Sequence, residues 1–98
     1  DGTKLWEAME VLFLILRGEP QVAKDVVKKA RDEGVAKRTL DRAKYMLRVR
    51  SERRQSTWNW HWIWRLPDED NQLLQYFRDK YDALDSAVQE ESFAEVEQ

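Results

Sequence analysis

Nine of the seventeen Lys and Arg residues fall within residues 34–66, where only Asp41 and Glu52 oppose them. Lys37, Arg38, Thr39, Arg42 and Tyr45 are spaced to share the outward side of one helix, its first turn included. Arg50, Arg53 and Arg54 follow, and then the aromatic run Trp58-Asn59-Trp60-His61-Trp62-Ile63-Trp64. Guanidinium and ammonium groups neutralise phosphates and release their condensed counterions. Indole and phenol rings stack on bases and sugars. Neither kind of group performs acid–base or nucleophilic chemistry unaided. No nucleophile–base pair or carboxylate dyad can be placed in a pocket from this sequence, so no catalytic residue is expected and the chain by itself reads as a non-enzyme.

Each feature also has a plainer reading. A row of Lys and Arg can be no more than a solvated helix face, although clustering in the following hairpin as well favours binding. Tryptophans belong to cores more often than to ligand platforms. Trp62 and Trp64, nearest the base of their strand, are expected to pack on the first and third helices. Trp58, beside the turn, is free to stack on a base, a sugar or a partner. His61 falls on the other strand face from the tryptophans and reads as a surface residue.

Net charge is −2, yet its distribution is polarised: residues 1–33 carry −1, residues 34–66 carry +7 and residues 67–98 carry −8. A basic stripe on one structural unit is the electrostatic footprint of phosphate binding, provided the charges converge on one contiguous side. Cysteine is absent and histidine occurs once, which excludes disulfides and argues against a structural zinc site. No metal or cofactor is expected. The run Val11-Leu12-Phe13-Leu14-Ile15-Leu16 is too short to span a bilayer and fits a buried helix. With no signal peptide legible, a cytoplasmic location is expected. The chain opens Asp1-Gly2 without Met and reads as a fragment of a longer protein.

These side chains need a scaffold. Leu5, Trp6, Met9, Leu12, Phe13 and Leu16 predict a helix from Thr3, as N-cap, to Arg17. Gly18-Glu19-Pro20 stops it, with Pro20 starting the next helix. Val22 to Glu33 reads as the second helix, Gly34 as its left-handed cap and Ala36 to Leu47 as the third. Ala30, Gly34 and Leu40 stand at offsets of 4 and 6, with Val35 after the glycine. That is the spacing of a helix-turn-helix: a small residue where the helices cross, a glycine in the turn and an apolar anchor beyond. From Arg48 the period changes to two, predicting strands over 48–52 and 58–64 with a polar turn over 53–57. Pro67 closes the second strand. Asp68-Glu69-Asp70 opens a last helix, in which Leu73, Phe77, Tyr81, Leu84 and Val88 recur every three or four residues. The acidic end, from about Glu90, is expected to fray.

The fold expected is therefore mostly α with a small β-hairpin: a winged helix-turn-helix with an added C-terminal helix and a short third strand near Gln21. Residues 1–67 form the DNA-binding domain in this reading, and residues 68–98 an acidic C-terminal helix and tail. The third helix would enter the major groove with Lys37, Arg38, Thr39, Arg42 and Tyr45. The hairpin would lie along the flanking backbone with Arg50, Arg53, Arg54 and Gln55.

Residues Gly34 to Lys44, then Leu47 and Val49, then Trp62-Ile63-Trp64-Arg65-Leu66-Pro67, resemble the winged-helix segment that follows the RecA-like ATPase in phage- and plasmid-type replication proteins. The resemblance covers roughly residues 5–67. It carries over Arg38, Thr39, Leu40, Arg42 and Ala43 in the helix, and Trp62, Trp64, Leu66 and Pro67 in the wing. Ala36 stands where a serine N-cap is usual, and Arg48 where a glycine often ends the helix. No phosphate-loop motif occurs here, so any ATPase would lie elsewhere in a parent chain. The resemblance implies a non-catalytic module that tethers a replication ATPase or primase to double-stranded DNA. Two alternatives use the same surface. One is a stand-alone transcription regulator, a homodimer through Leu73, Phe77, Tyr81, Leu84 and Val88. The other is a winged helix that meets an acidic protein.

Overall fold

A computed structural model describes residues 2–97. Helix α1 (Gly2–Leu16) turns Ala8, Met9, Leu12, Phe13 and Leu16 into the core. It begins one residue before Thr3, which therefore sits in the first turn and is not its N-cap. Strand β1 (Gln21–Val22) then pairs with Trp64 and Ile63. This pairing displaces the expected role of Pro20: helix α2 (Ala23–Asp32) starts after the strand, with Val22 extended as its N-cap. The tertiary ladder outweighs the tolerance of a first helical turn for proline.

Helix α2 buries Val26 and Ala30. Gly34 adopts φ +85°, which a side chain would strain, and its amide donates to the Arg31 carbonyl at 2.9 Å. The Val35 amide donates to the Ala30 carbonyl at 2.8 Å, and the side chains of Val35, Ala30 and Leu40 share the core. Helix α3 (Lys37–Leu47) presents Leu40, Ala43 and Leu47 inward. It ends at Arg48 in the left-handed conformation, φ 60°, with the Val49 amide donating to the Lys44 carbonyl at 3.0 Å. A glycine-type cap thus persists here on an arginine, at a cost of about 1–2 kcal/mol.

Strands β2 (Arg50–Gln55) and β3 (Trp60–Arg65) form an antiparallel hairpin. The turn lies later than expected, at residues 56–59, closed by the Ser56 amide donating to the Asn59 carbonyl. Arg53 and Arg54 therefore belong to the ladder, opposite Trp62 and His61. The sheet order is β1-β3-β2. Because β1 covers only the base of β3, the far half of the hairpin projects beyond it.

Helix α4 (Gln72–Glu97) starts four residues after Asp68. Asn71 is its cap: its Oδ1 accepts from the Leu74 amide at 2.9 Å while its Nδ2 donates to the Leu47 carbonyl at 3.3 Å. That one side chain ties α4 to the end of α3. Leu74 and Phe77 are fully buried, and Phe77 stacks on Phe13 with ring centroids 5.6 Å apart. This packing takes up much of the suggested dimer seam. Leu73, Phe77 and Tyr81 already pack on the chain's own core, leaving Leu84 and Val88 exposed.

The architecture is thus four helices with a small three-stranded antiparallel sheet, compatible with a winged helix. Among the described residues no helix is long and apolar enough to cross a membrane.

Candidate nucleic-acid interface

Helical periodicity puts Arg38, Arg42 and Tyr45 on the side of α3 opposite Leu40, Ala43 and Leu47. All three are exposed, and among the described residues neither arginine has a carboxylate partner. Arg48, at the helix end, is likewise exposed and unpaired, and borders a shallow groove with Asp41, Lys44 and Tyr45. Lys37 differs: its ammonium lies 2.9 Å from both carboxylate oxygens of Asp41, one turn along. Thr39 departs from the expected face. It is half-buried on the flank towards α1, in a pocket with Lys4, Glu7, Glu10 and Val11.

Lys44 occupies the flank of α3 that meets the sheet. Its ammonium sits 4.5 Å above the Trp64 ring, and burial there holds its pKa below the ordinary lysine value. This contact shows which sheet face adjoins α3: the one bearing Trp64.

Strand alternation then divides the hairpin arginines. Arg53, opposite Trp62, shares the Trp64 face, and its guanidinium lies 4.7 Å from the centre of the Trp60 ring. Arg50 and Arg54 pair across the sheet with Arg65 and His61, so they lie on the reverse face. There the charge is neutralised. Arg50 donates to Glu69 at 2.9 Å. Glu52 accepts from Arg65 and Arg54, and Arg65 also reaches Asp68 at 3.0 Å. The hydrogen bond from Arg65 holds the Glu52 carboxyl below its usual range, and the same bond raises the Arg65 guanidinium.

The seven surplus charges of residues 34–66 thus do not converge on one side. One group, Arg38, Arg42, Arg48, Arg53 and Lys44, surrounds α3 and the adjoining hairpin face. The other, Arg50, Arg54 and Arg65, is spent on Glu52, Asp68 and Glu69 behind it. Asp68 and Glu69, just after Pro67, pair with the reverse face, and Arg38, Arg42 and Tyr45 are exposed.

Trp64 is buried as expected, but Trp62 is not: it is 56% exposed, with Trp60 at 54% and Trp58 at 88%. The helices enclose only the base of β3, so a ring two residues farther out is only partly covered. Lys24, at the start of α2, lines an open groove with Trp60 and Trp62. His61 lies on the reverse face, its Nε2 3.1 Å from the Ser56 hydroxyl. The exposed stripe and the lone Arg48 escaped the sequence reading. One signal was available: four indoles alternating within seven residues exceed what the two-residue β1 and a chain of this size can enclose.

Comparison with protein-family models, with characterised proteins and with solved structures finds no match for this chain, so none of them assigns a role to these residues.

Proposed function

We propose that this chain is a winged-helix module that binds duplex DNA without catalysing a reaction, with α3 as the recognition helix and β2–β3 as the wing. The observation that carries the reading is the pair Arg38 and Arg42, exposed one turn apart on α3 and, among the described residues, without a carboxylate partner, while most cations behind them are neutralised. Holding two unpaired guanidinium groups on one helix face adds nothing to the fold and fits a polyanion. The major groove, about 12 Å wide, admits one helix, with Arg38, Arg42 and Tyr45 towards the DNA. Arg53 would meet the flanking phosphates. Phosphate contacts of this kind position a protein without reading sequence. The resemblance to replication proteins extends the proposal: the module tethers a RecA-like ATPase or primase carried elsewhere in a parent chain.

The test is a titration with blunt duplex DNA at rising salt. Affinity should fall steeply with salt, and Arg38→Ala with Arg42→Ala should lower the log–log slope by about 2. No salt-sensitive binding, or an unchanged slope in the double variant, refutes the reading. A second reading, a winged helix that docks on a protein, is favoured by the exposed Trp58, Trp60 and Trp62. It requires that DNA leave those rings and the α3 arginines untouched.

A further inference from the structure

The wing poses a question that duplex binding does not answer. Trp58, Trp60 and Trp62 are each more than half exposed. Leaving a large apolar side chain in water forgoes about 1.5–3 kcal/mol of burial, so three such rings within five residues of the wing mark a surface that something else covers. From this row we infer that the wing stacks on unpaired bases, and that the preferred ligand is duplex DNA continued by a single strand. That the strand adjoins a duplex rests on the α3 reading above; the stacking itself stands on the wing alone.

Spacing supports a base-sized occupant. Trp60 and Trp62 lie two residues apart on one side of β3, which places their origins about 6.7 Å apart. A stacked base occupies about 3.4 Å along a strand, so one base fits between successive rings. Trp58 stands in the turn at the tip, the most exposed of the three rings at 88%.

Charge selects a nucleic acid over an acidic protein surface of unspecified shape. Cations stand at the rim of the row: the Arg53 guanidinium 4.7 Å over Trp60, and Lys24 beside Trp60 and Trp62. The one carboxylate of the hairpin, Glu52, lies on the reverse face, held by Arg65 and Arg54. Aromatic rings edged by cations and free of carboxylates are the pattern of single-strand binding, in which bases stack and phosphates follow the positive rim.

The platform is also rigid. The β2–β3 ladder runs unbroken from Arg50–Arg65 to Gln55–Trp60, so the rings need little ordering on binding. Bases within a duplex already stack on each other and would have to be unstacked, at a few kcal/mol per step. Unpaired bases avoid that cost. The tailed duplex therefore satisfies α3 and the wing together.

The experiment uses the whole chain with four fluorescein-labelled probes: oligo-dT, oligo-U, a blunt duplex, and the same duplex with an oligo-dT tail. Intrinsic tryptophan emission and probe anisotropy are both read. The tail should quench tryptophan emission, and the tailed duplex should bind about tenfold tighter than the blunt one, the gain expected from a single stacked base. Trp60→Ala with Trp62→Ala should abolish that gain, while Trp60→Phe with Trp62→Phe retains most of it. Circular dichroism checks that the variants are folded. Arg38→Ala with Arg42→Ala should weaken the blunt duplex and leave oligo-dT binding in place.

Equal affinity for tailed and blunt duplex without quenching overturns the inference. So does an oligo-U probe that outbinds oligo-dT, which would assign the wing to RNA. Silence towards every probe transfers the row to a protein partner. Oligo-dT binding without blunt-duplex binding overturns the α3 reading and leaves the wing's.

Discussion

Two aromatic clusters divide the labour in this molecule. Between α1 and α4, Trp6, Phe13, Tyr76, Phe77 and Tyr81 meet ring to ring, at centroid separations of 5.2–6.1 Å. Phe13 and Phe77 are buried, and Tyr81 lies beneath the guanidinium of Arg17. In the hairpin, Trp58, Trp60 and Trp62 are each more than half exposed and, among the described residues, meet no other ring. Similar side chains therefore do different work according to what lies opposite. Facing aromatics convert burial and ring contact into stability. Aromatics in solvent contribute little to the fold.

Phe77→Ala should give the largest effect on stability, a loss of about 3–5 kcal/mol in chemical denaturation, because it empties a site enclosed by Phe13 and Trp6. A loss below about 1 kcal/mol would mean that α4 is not integral to the core. Trp64→Ala, at the one enclosed ring of the hairpin, should cost about 3 kcal/mol and also release Lys44 from its ring contact. Next comes Arg38→Ala with Arg42→Ala, expected to weaken duplex binding about ten- to hundredfold at constant stability, by anisotropy and denaturation on the same samples. Trp62→Ala should change stability by no more than about 1 kcal/mol despite removing the largest side chain type. A cost matching that of Phe77→Ala would erase the contrast between the clusters.

The smallest effect concerns pH. Lys80 donates to Glu10 at 2.8 Å beside the α1–α4 aromatics, and this hydrogen bond holds the Glu10 carboxyl below its ordinary value of 4.5. A carboxyl with a depressed folded-state pKa stabilises fully above the unfolded value and loses that contribution as pH falls through the folded one. The melting temperature should therefore drop on acidification below about pH 4.5, and less steeply in Glu10→Gln. Identical acid limbs in the two proteins would show that the pair adds nothing.

Periodicity alone was enough for the order of elements, since a spacing of three and four, a glycine needing positive φ and a switch to period two are local properties. It identified the small–glycine–apolar set Ala30, Gly34 and Leu40, the inward face of α3 and the short strand near Gln21. Errors of position arose where distant partners intervened. Pro20 yielded helix initiation to a strand that pairs with residues more than forty positions away, and α4 starts at Gln72 rather than within Asp68-Glu69-Asp70 because Asn71 caps it while also reaching the Leu47 carbonyl.

The candidate site was legible in residue type and not in side. Arg38, Arg42 and Tyr45 could be placed outward from the apolar stripe of their own helix. Arg50, Arg53 and Arg54 could not be sorted, because the turn falls later than the polar residues suggest, which brings Arg53 and Arg54 into the ladder, and the pairing with β3 gives each its face. Nor could charge counting foresee that Asp68 and Glu69 would return to neutralise the hairpin's reverse face. Local chemistry settled what each segment could become. Only the packed fold, by choosing which surfaces lie against others, settled which cations were paired with carboxylates and which tryptophans were left uncovered.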